Sequence, residues 1–310
     1  MTLRRHTGWS MPVLHAILVV LVIAGLALNA CRPGGDAAPV VQDAALEIIE
    51  NKGSDTIVNL ALAWAEAYAQ VRPGVQIAVT GGGSGTGIAA LINGTVDIAN
   101  ASRAMKSEEI ESAQANGIQP KEFVIAGDAI AIVVHPDNPL DRITIPQLSA
   151  IFTGRIRNWK ELGGEDRPIV TLSRETNSGT HVYFLEEVIR QGRKDSTLIF
   201  SPDTLLMPSS EGISSEVMRN PNAIGYDGLG YVTPEQKVLA VARTAAGPYV
   251  LPSIETVQDG SYPIARPLFM YTAGEPTGAV KEYLDWIMSP EGQEIVARLG
   301  FVPLSGAGGQ

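Results

Sequence analysis

Two hydrophobic rhythms take turns along this 310-residue chain. Short apolar runs at 46–49, 75–80, 96–99, 169–172, 223–226 and 264–271 read as strands, rich in Ile, Val and Leu. Helical spacing follows several of them. Ile57, Leu60, Ala61, Trp64 and Tyr68 share one face and stop at Pro73-Gly74; Ile88, Leu91 and Ile92 form a shorter face. Helices are also predicted over 107–114 and 145–152, and from Val182 through Leu185, Val188 and Ile189. A last helical stretch covers 278–299, with Val280, Tyr283, Leu284, Ile287 and Ile295 on its apolar side. Strand and helix in alternation predict an α/β chain whose sheets are mostly parallel and flanked by helices. A long apolar run, 123–135, is broken only at Gly127-Asp128. It is long enough to leave one lobe and enter another.

The first thirty residues have a different pattern. Arg4 and Arg5 precede an almost wholly apolar stretch, 13–28, that is short for a membrane span and ends in Leu28-Asn29-Ala30-Cys31. This is expected to be a leader, and it is similar to the lipobox of bacterial lipoproteins, in which the cysteine is lipidated. Asn29 departs from the small residue usual at its position. An ordinary secretory peptide and an uncleaved signal anchor are the other readings. Cys31 is the single cysteine, so no intrachain disulfide is possible. Residues 31–44, rich in Gly, Pro, Ala and Asp, read as a flexible tether, and 306–310 as a disordered tail. The net charge is −10, and the leader carries no acidic residue, so its loss makes the body more acidic still. Such a body lacks the basic stripe of a nucleic-acid groove. Any anion site on it must work by aimed hydrogen bonds.

Four segments offer such bonds. Gly53-Ser54-Asp55-Thr56, Gly83-Ser84-Gly85-Thr86, Ala101-Ser102-Arg103 and Ser178-Gly179-Thr180 each follow an expected strand and precede an expected helix. Unpaired N–H groups and the positive dipole end at a helix N-terminus suit an anion. In an open α/β sheet such loops gather beyond the carboxyl ends of the strands. Arg103 and Arg174 would add formal charge in planar forks. Each serine could instead be a simple N-cap, and each arginine a surface ion pair.

Other chemistry is poorly supplied. Gly85-Thr86-Gly87-Ile88-Ala89-Ala90 fits only the loose dinucleotide form, nothing matches the P-loop, and Ser84 lacks the last glycine of a nucleophile elbow. After the leader only His135 and His181 remain. His181 is expected near a ligand mouth or facing solvent, not as a triad base. No catalytic residue, metal site or cofactor is expected.

The segments Gly53–Ile57, Gly82–Gly87, Asp97–Arg103, Ile151-Phe152-Thr153-Gly154 with Trp159, Arg174-Glu175-Thr176-Asn177-Ser178-Gly179-Thr180 and Ala223-Ile224-Gly225-Tyr226 resemble the phosphate-binding protein family of bacterial Pst-type ABC importers. The resemblance spans about 46–304, and R-x-x-x-S-G-T is its most specific element. It implies a two-lobed type II periplasmic binding protein fold, each lobe a mostly parallel sheet flanked by helices. Lobe I would comprise 45–127 and 265–305 and lobe II 128–264, hinged near 127–131 and 263–267. It also implies a monomeric, lipid-anchored extracytoplasmic receptor that closes on inorganic phosphate and delivers it to membrane permease subunits, without catalysis. Carried over residue by residue, the ligand set is Ser54, Thr56, Ile57, Ser84, Arg103, Arg174, Ser178, Gly179 and Thr180. Well-known members have an aspartate where this chain has Arg103; it accepts a phosphate proton and so rejects sulfate, whereas shorter members carry arginine. Asp55 is a candidate for that acceptor here, with a capping or solvent-facing role as the other reading. Receptors for sulfate, tungstate or molybdate, and an adhesin or signalling module on the same fold, are the competing functions.

Overall fold

The structure is a computed structural model and describes residues 46–304. The leader, Cys31, the tether and the tail 306–310 lie outside the described residues.

The chain opens with β1 (Glu47–Gly53), α1 (Asp55–Val71), β2 (Val75–Thr80), α2 (Ser84–Ile92), β3 (Ile98–Ala101) and α3 (Ser107–Ala115). The long β4 (Lys121–Val134) then crosses to a second set: β5 (Arg142–Thr144), α4 (Ile145–Phe152), β6 (Val170–Arg174), α5 (Gly179–Tyr183), β7 (Leu205–Met207), α6 (Ser210–Arg219), β8 (Ala223–Gly228), β9 (Lys237–Ala242) and α7 (Ile254–Gln258). The return strand β10 (Ala265–Thr272) leads to α8 (Gly278–Met288) and α9 (Pro290–Arg298).

The strand order is β2-β1-β3-β10-β4-β8-β6-β7, with β9 beside β4 and β5 beside β9. Pairings of β1 with β2 and β3, of β6 with β7 and β8, and of β5 with β9 are parallel. Every antiparallel pairing between two of these strands involves β4 or β10, the strands that run between lobes. These two pair with each other, placing Arg266 opposite Asp128 and Pro267 opposite Gly127. Pro267 lacks an N–H to give to the ladder.

The two largest cores lie one on each side of the middle of β4. The first gathers Ile49, Ile57, Leu60, Trp64, Tyr68, Tyr283 and Ile287. It contains the helical face expected from Ile57 to Tyr68, and Trp64 Nε1 donates to the Gly292 carbonyl at 2.8 Å. The second gathers Ile132, Phe152, Trp159, Phe184, Tyr226 and Leu239, with the Phe184 and Tyr226 rings stacked at 3.7 Å.

Three local readings change. The apolar stretch 278–299 is two helices, because Pro290 cannot donate into a continuing helix and Ser289 caps the new one through Gly292 N–H at 3.4 Å. The helix expected from Val182 to Ile189 is α5 followed by a π-helical turn over Phe184–Ile189. The strand expected at 96–99 starts two residues later, since Asp97 turns its carboxylate back to the Glu50 N–H at 2.8 Å.

Candidate functional site

The parallel strands aim their carboxyl ends at the seam between the lobes, and the four hydroxyl-bearing loops meet there. Ser54 Oγ donates to Ser102 Oγ at 2.9 Å, and the Ser102 N–H donates to Ser84 Oγ at 3.0 Å. From the other lobe Thr180 Oγ1 lies 2.8 Å from Thr56 Oγ1. Gly179 packs so tightly over Ser84 and Ser102 that a Cβ there would run into both hydroxyls. All these side chains are buried. Ile57 holds the turn by donating its N–H to the Ser54 carbonyl at 3.0 Å, with its side chain in the first core. The N-cap reading applies to one serine of three. Ser178 Oγ accepts the Thr180 N–H at 3.2 Å, whereas neither Ser54 nor Gly83, at the cap positions of α1 and α2, makes a side-chain cap bond.

Two guanidiniums reach the seam. Arg174, at the end of β6, is 1% exposed. Its Nη2 donates to Asp55 Oδ2 at 2.7 Å and to the Pro208 carbonyl at 2.9 Å, and its Nη1 to Ser210 Oγ at 3.1 Å. Asp55 opens α1 in the first lobe, so this ion pair joins the lobes; its other oxygen accepts the Gly82 N–H at 2.8 Å. The second guanidinium is Arg266 on β10. It donates to Asp128 Oδ2 through Nε at 3.1 Å and Nη2 at 2.9 Å, to the Ser102 carbonyl at 2.9 Å, and to Thr180 Oγ1 at 2.9 Å. Both members of the Asp128–Arg266 pair are essentially inaccessible to solvent.

Arg103 is held apart from this group. Its two terminal nitrogens form a fork on Glu109 of α3, each at 2.7 Å, and Nη1 also donates to the Ala104 carbonyl. It makes no hydrogen bond to the other residues named in the sequence analysis. Its charge is spent on a carboxylate six residues away, which the spacing R-x-x-x-x-x-E shows only in hindsight.

The glycine run 81–87 meets the second lobe through Asn177. Gly85 N–H donates to the Asn177 carbonyl at 3.0 Å, and Asn177 Nδ2 donates to the Gly82 carbonyl at 2.9 Å and Thr86 Oγ1 at 3.3 Å. Gly83 has φ 88°, and a Cβ there would meet the Asn177 carbonyl at 2.9 Å. Conformation and close approach both demand glycine.

Behind Arg174 lies Asp227, 1% exposed, with Oδ1 accepting the Gly228 N–H at 2.9 Å and Oδ2 without a partner. Burial raises its carboxyl to about 7, although Ser210 and Arg174 draw it down. His181 does not face solvent. It stacks on Phe200 at 4.5 Å, its Nδ1 lies 3.0 Å from Ser173 Oγ, and burial lowers its pKa. The apolar packing partner Phe200 is nineteen places on in sequence, so helical spacing gave no sign of it.

Sequence reasoning passed over Arg266, and named Asp128, Asn177 and Ser102 only as parts of longer runs. Arg266 and Asp128 did leave a signal. Each is a charge set into an otherwise apolar strand run, and a buried charge requires a partner. Chemically, the assembly is a buried seam of hydroxyls and N–H donors with two charge-compensated guanidiniums, suited to an acceptor-rich anion. Among the described residues no group of three or more His, Cys, Asp or Glu is arranged to hold a metal ion, and no helix is long and apolar enough to cross a membrane.

Comparison with known proteins places this geometry. Residues 38–291 match the family model described as the PBP superfamily domain. The phosphate-binding protein PstS of Pseudomonas aeruginosa is 33% identical over 273 residues, covering 83% of each chain. The phosphate-binding protein PstS of Bacillus subtilis is 32% identical over 296 residues, covering 95% of this chain and 93% of the relative. A structure with bound phosphate from Clostridium perfringens, named as a candidate phosphate ABC transporter substrate-binding protein, is 35% identical with a TM-score of 0.75. It covers 84% of this chain and all of its own.

Proposed function

The chain belongs to the PBP superfamily and, within it, to the Pst-type phosphate-binding family, and from that premise we propose that it captures inorganic phosphate between its two lobes and delivers it to an ABC importer. The observation that carries this reading is the meeting of Thr56 and Ser84 from one lobe with Gly179 and Thr180 from the other, beside Arg174. These groups donate hydrogen bonds, and a hydrogen bond to a charged partner contributes about 1.5–3 kcal/mol. Several together hold a small oxyanion on an acidic protein without help from net charge.

In this reading Thr56, Ser84, Ser178, Gly179 and Thr180 donate to the anion, Ser54 and Ile57 shape the first-lobe turn, and Arg174 supplies the cation. Arg103 supports α3 and does not touch the ligand. Residues 45–127 with 265–305 and residues 128–264 move as lobes about β4 and β10. Cys31 carries the lipid that holds a monomer outside the cytoplasm, beside the membrane permease subunits it serves. No bond of the ligand is broken.

Calorimetry of the ligand-stripped protein tests the proposal, with phosphate, sulfate, molybdate and tungstate as titrants. Phosphate is expected to bind tightest. Absence of phosphate binding, or tighter binding of another anion, overturns it.

A further inference from the structure

We propose that Arg266, held by Asp128, is a positioning residue of the anion site that fixes the hydroxyl protons of Thr56 and Thr180 as donors, one from each lobe. The inference rests on the phosphate reading above and goes beyond the ligand set that the family resemblance supplies.

The argument starts at the strand pair. β4 and β10 are the antiparallel strands on which the lobes are hung, and their register sets Arg266 directly opposite Asp128. Opposite residues on neighbouring strands have side chains close enough to pair. The pair is buried on both sides, with side-chain exposures of 1% and 0%. Asp128 is bound from two directions. Its Oδ2 takes Nε and Nη2 of Arg266, and its Oδ1 takes the Leu229 N–H at 3.2 Å. Nη1 is tied to the Ser102 carbonyl, and the guanidinium sits over the Tyr183 ring, 5.4 Å from its centroid. Its plane is therefore fixed by the carboxylate, the carbonyl and the ring together.

What remains free to act is the outer edge of Nη2. It lies 2.9 Å from Thr180 Oγ1 and 3.4 Å from Thr56 Oγ1, and these two oxygens are 2.8 Å apart. A guanidinium has donors only. A hydroxyl that accepts from it must turn its own proton away from the arginine. At 2.8 Å one threonine donates to the other, and with Arg266 in place neither proton can turn toward the arginine, so a phosphate oxygen entering the seam meets both as donors. Without it each hydroxyl is free to rotate, and binding must first set its direction. Arg266 also has bonds to both lobes at once, so the threonines are aligned only when the lobes have come together.

The test is a double-mutant cycle read by phosphate calorimetry, with thermal unfolding of each variant. Removing one member of a buried pair strands the other, so Asp128→Leu and Arg266→Met are introduced together. The pair of substitutions is expected to weaken phosphate binding at least tenfold. Placed on Thr56→Val/Thr180→Val, it is expected to cost less than threefold more, because the groups through which it acts are gone. A merely structural role would give the same cost in both backgrounds. Arg266→Lys provides a second reading if the double variant does not fold. Lysine keeps the charge but cannot reach Asp128, the Ser102 carbonyl and Thr180 together, and it is expected to unfold within a few degrees of the unmodified protein yet bind about tenfold more weakly. Unchanged affinity in Arg266→Lys, or equal cost in the two backgrounds, overturns the inference. Failure of the unmodified protein to bind phosphate in the same titration would instead sink the functional reading on which it rests.

Discussion

Replacing Gly179 by alanine separates folding from closing. Gly179 is the first residue of α5 and is not among the glycines with positive φ, so alanine fits its backbone. Within its own lobe the change is favourable, since alanine is a better helix former than glycine by roughly 0.5–1 kcal/mol. Across the seam it is unfavourable. The new methyl would overlap the Ser84 and Ser102 hydroxyls, which are themselves pinned, Ser84 by the Ser102 N–H at 3.0 Å and Ser102 by Ser54 at 2.9 Å. Overpacking a well-packed contact costs about 1–3 kcal/mol. That cost falls only on the closed arrangement, so phosphate affinity should fall by roughly 5- to 150-fold at 1.4 kcal/mol per decade. Scanning calorimetry of the stripped protein should show an unfolding temperature unchanged or slightly raised. Titration calorimetry should show the weakened Kd. If affinity stays within twofold, the contact across the seam does not govern binding. If stability and affinity fall together, the methyl disturbs the lobe itself and the reasoning fails.

Three further outcomes are expected. Asp227→Asn should remove a pH dependence: burial raises the folded carboxyl to about 7 from an ordinary value of 3.8. At 1.36 kcal/mol per unit that is an upper bound of roughly 4 kcal/mol. With the folded pKa raised, the contribution is full below about pH 4 and is lost as pH rises to about 7. Denaturant melts across this window should show the decline in the unmodified protein and a flatter line in the variant; parallel lines contradict the assignment. Asn177→Ala removes two side-chain hydrogen bonds between lobes, each worth about 1 kcal/mol, so stopped-flow release of phosphate should speed up by as much as roughly 30-fold while unfolding is little changed. Arg103→Ala should leave phosphate Kd within twofold and lower the unfolding temperature, because the fork on Glu109 is lost; a large loss of affinity would return Arg103 to the ligand set.

The strands and helices that bury a full face were legible in the sequence. Val75–Thr80 is β2 without adjustment, and the Ile57–Tyr68 face is α1. β9, KVLAVA, was missed despite its apolar run, and most of the other elements that escaped have little periodicity to show. β5 and β7 have three residues each, and α6 carries only Ile213 and Val217 as buried hydrophobics. At the site, the four hydroxyl loops were legible because a strand, a small polar turn and a helix leave a local signature. Arg266 and Asp128 were not, since their meaning lies in a pairing between strands 138 residues apart. Arg103 shows the converse. Its position suited an anion, and the structure pairs it with a glutamate on the next helix that the local pattern did not announce.

The approach of Asn177 to the glycine run has a consequence for anyone who would re-engineer the receptor. Gly83 and Gly85 lie where a backbone from the other half of the chain passes over them, and the Asn177 side chain in turn donates to a carbonyl and a hydroxyl that this run presents. Neither loop is a module. A graft of the R-x-x-x-S-G-T segment onto a relative, without the matching glycine run, would bring its donors to a surface that cannot receive them. The smallest portable piece of specificity is therefore discontinuous, two loops from opposite halves that must be moved together.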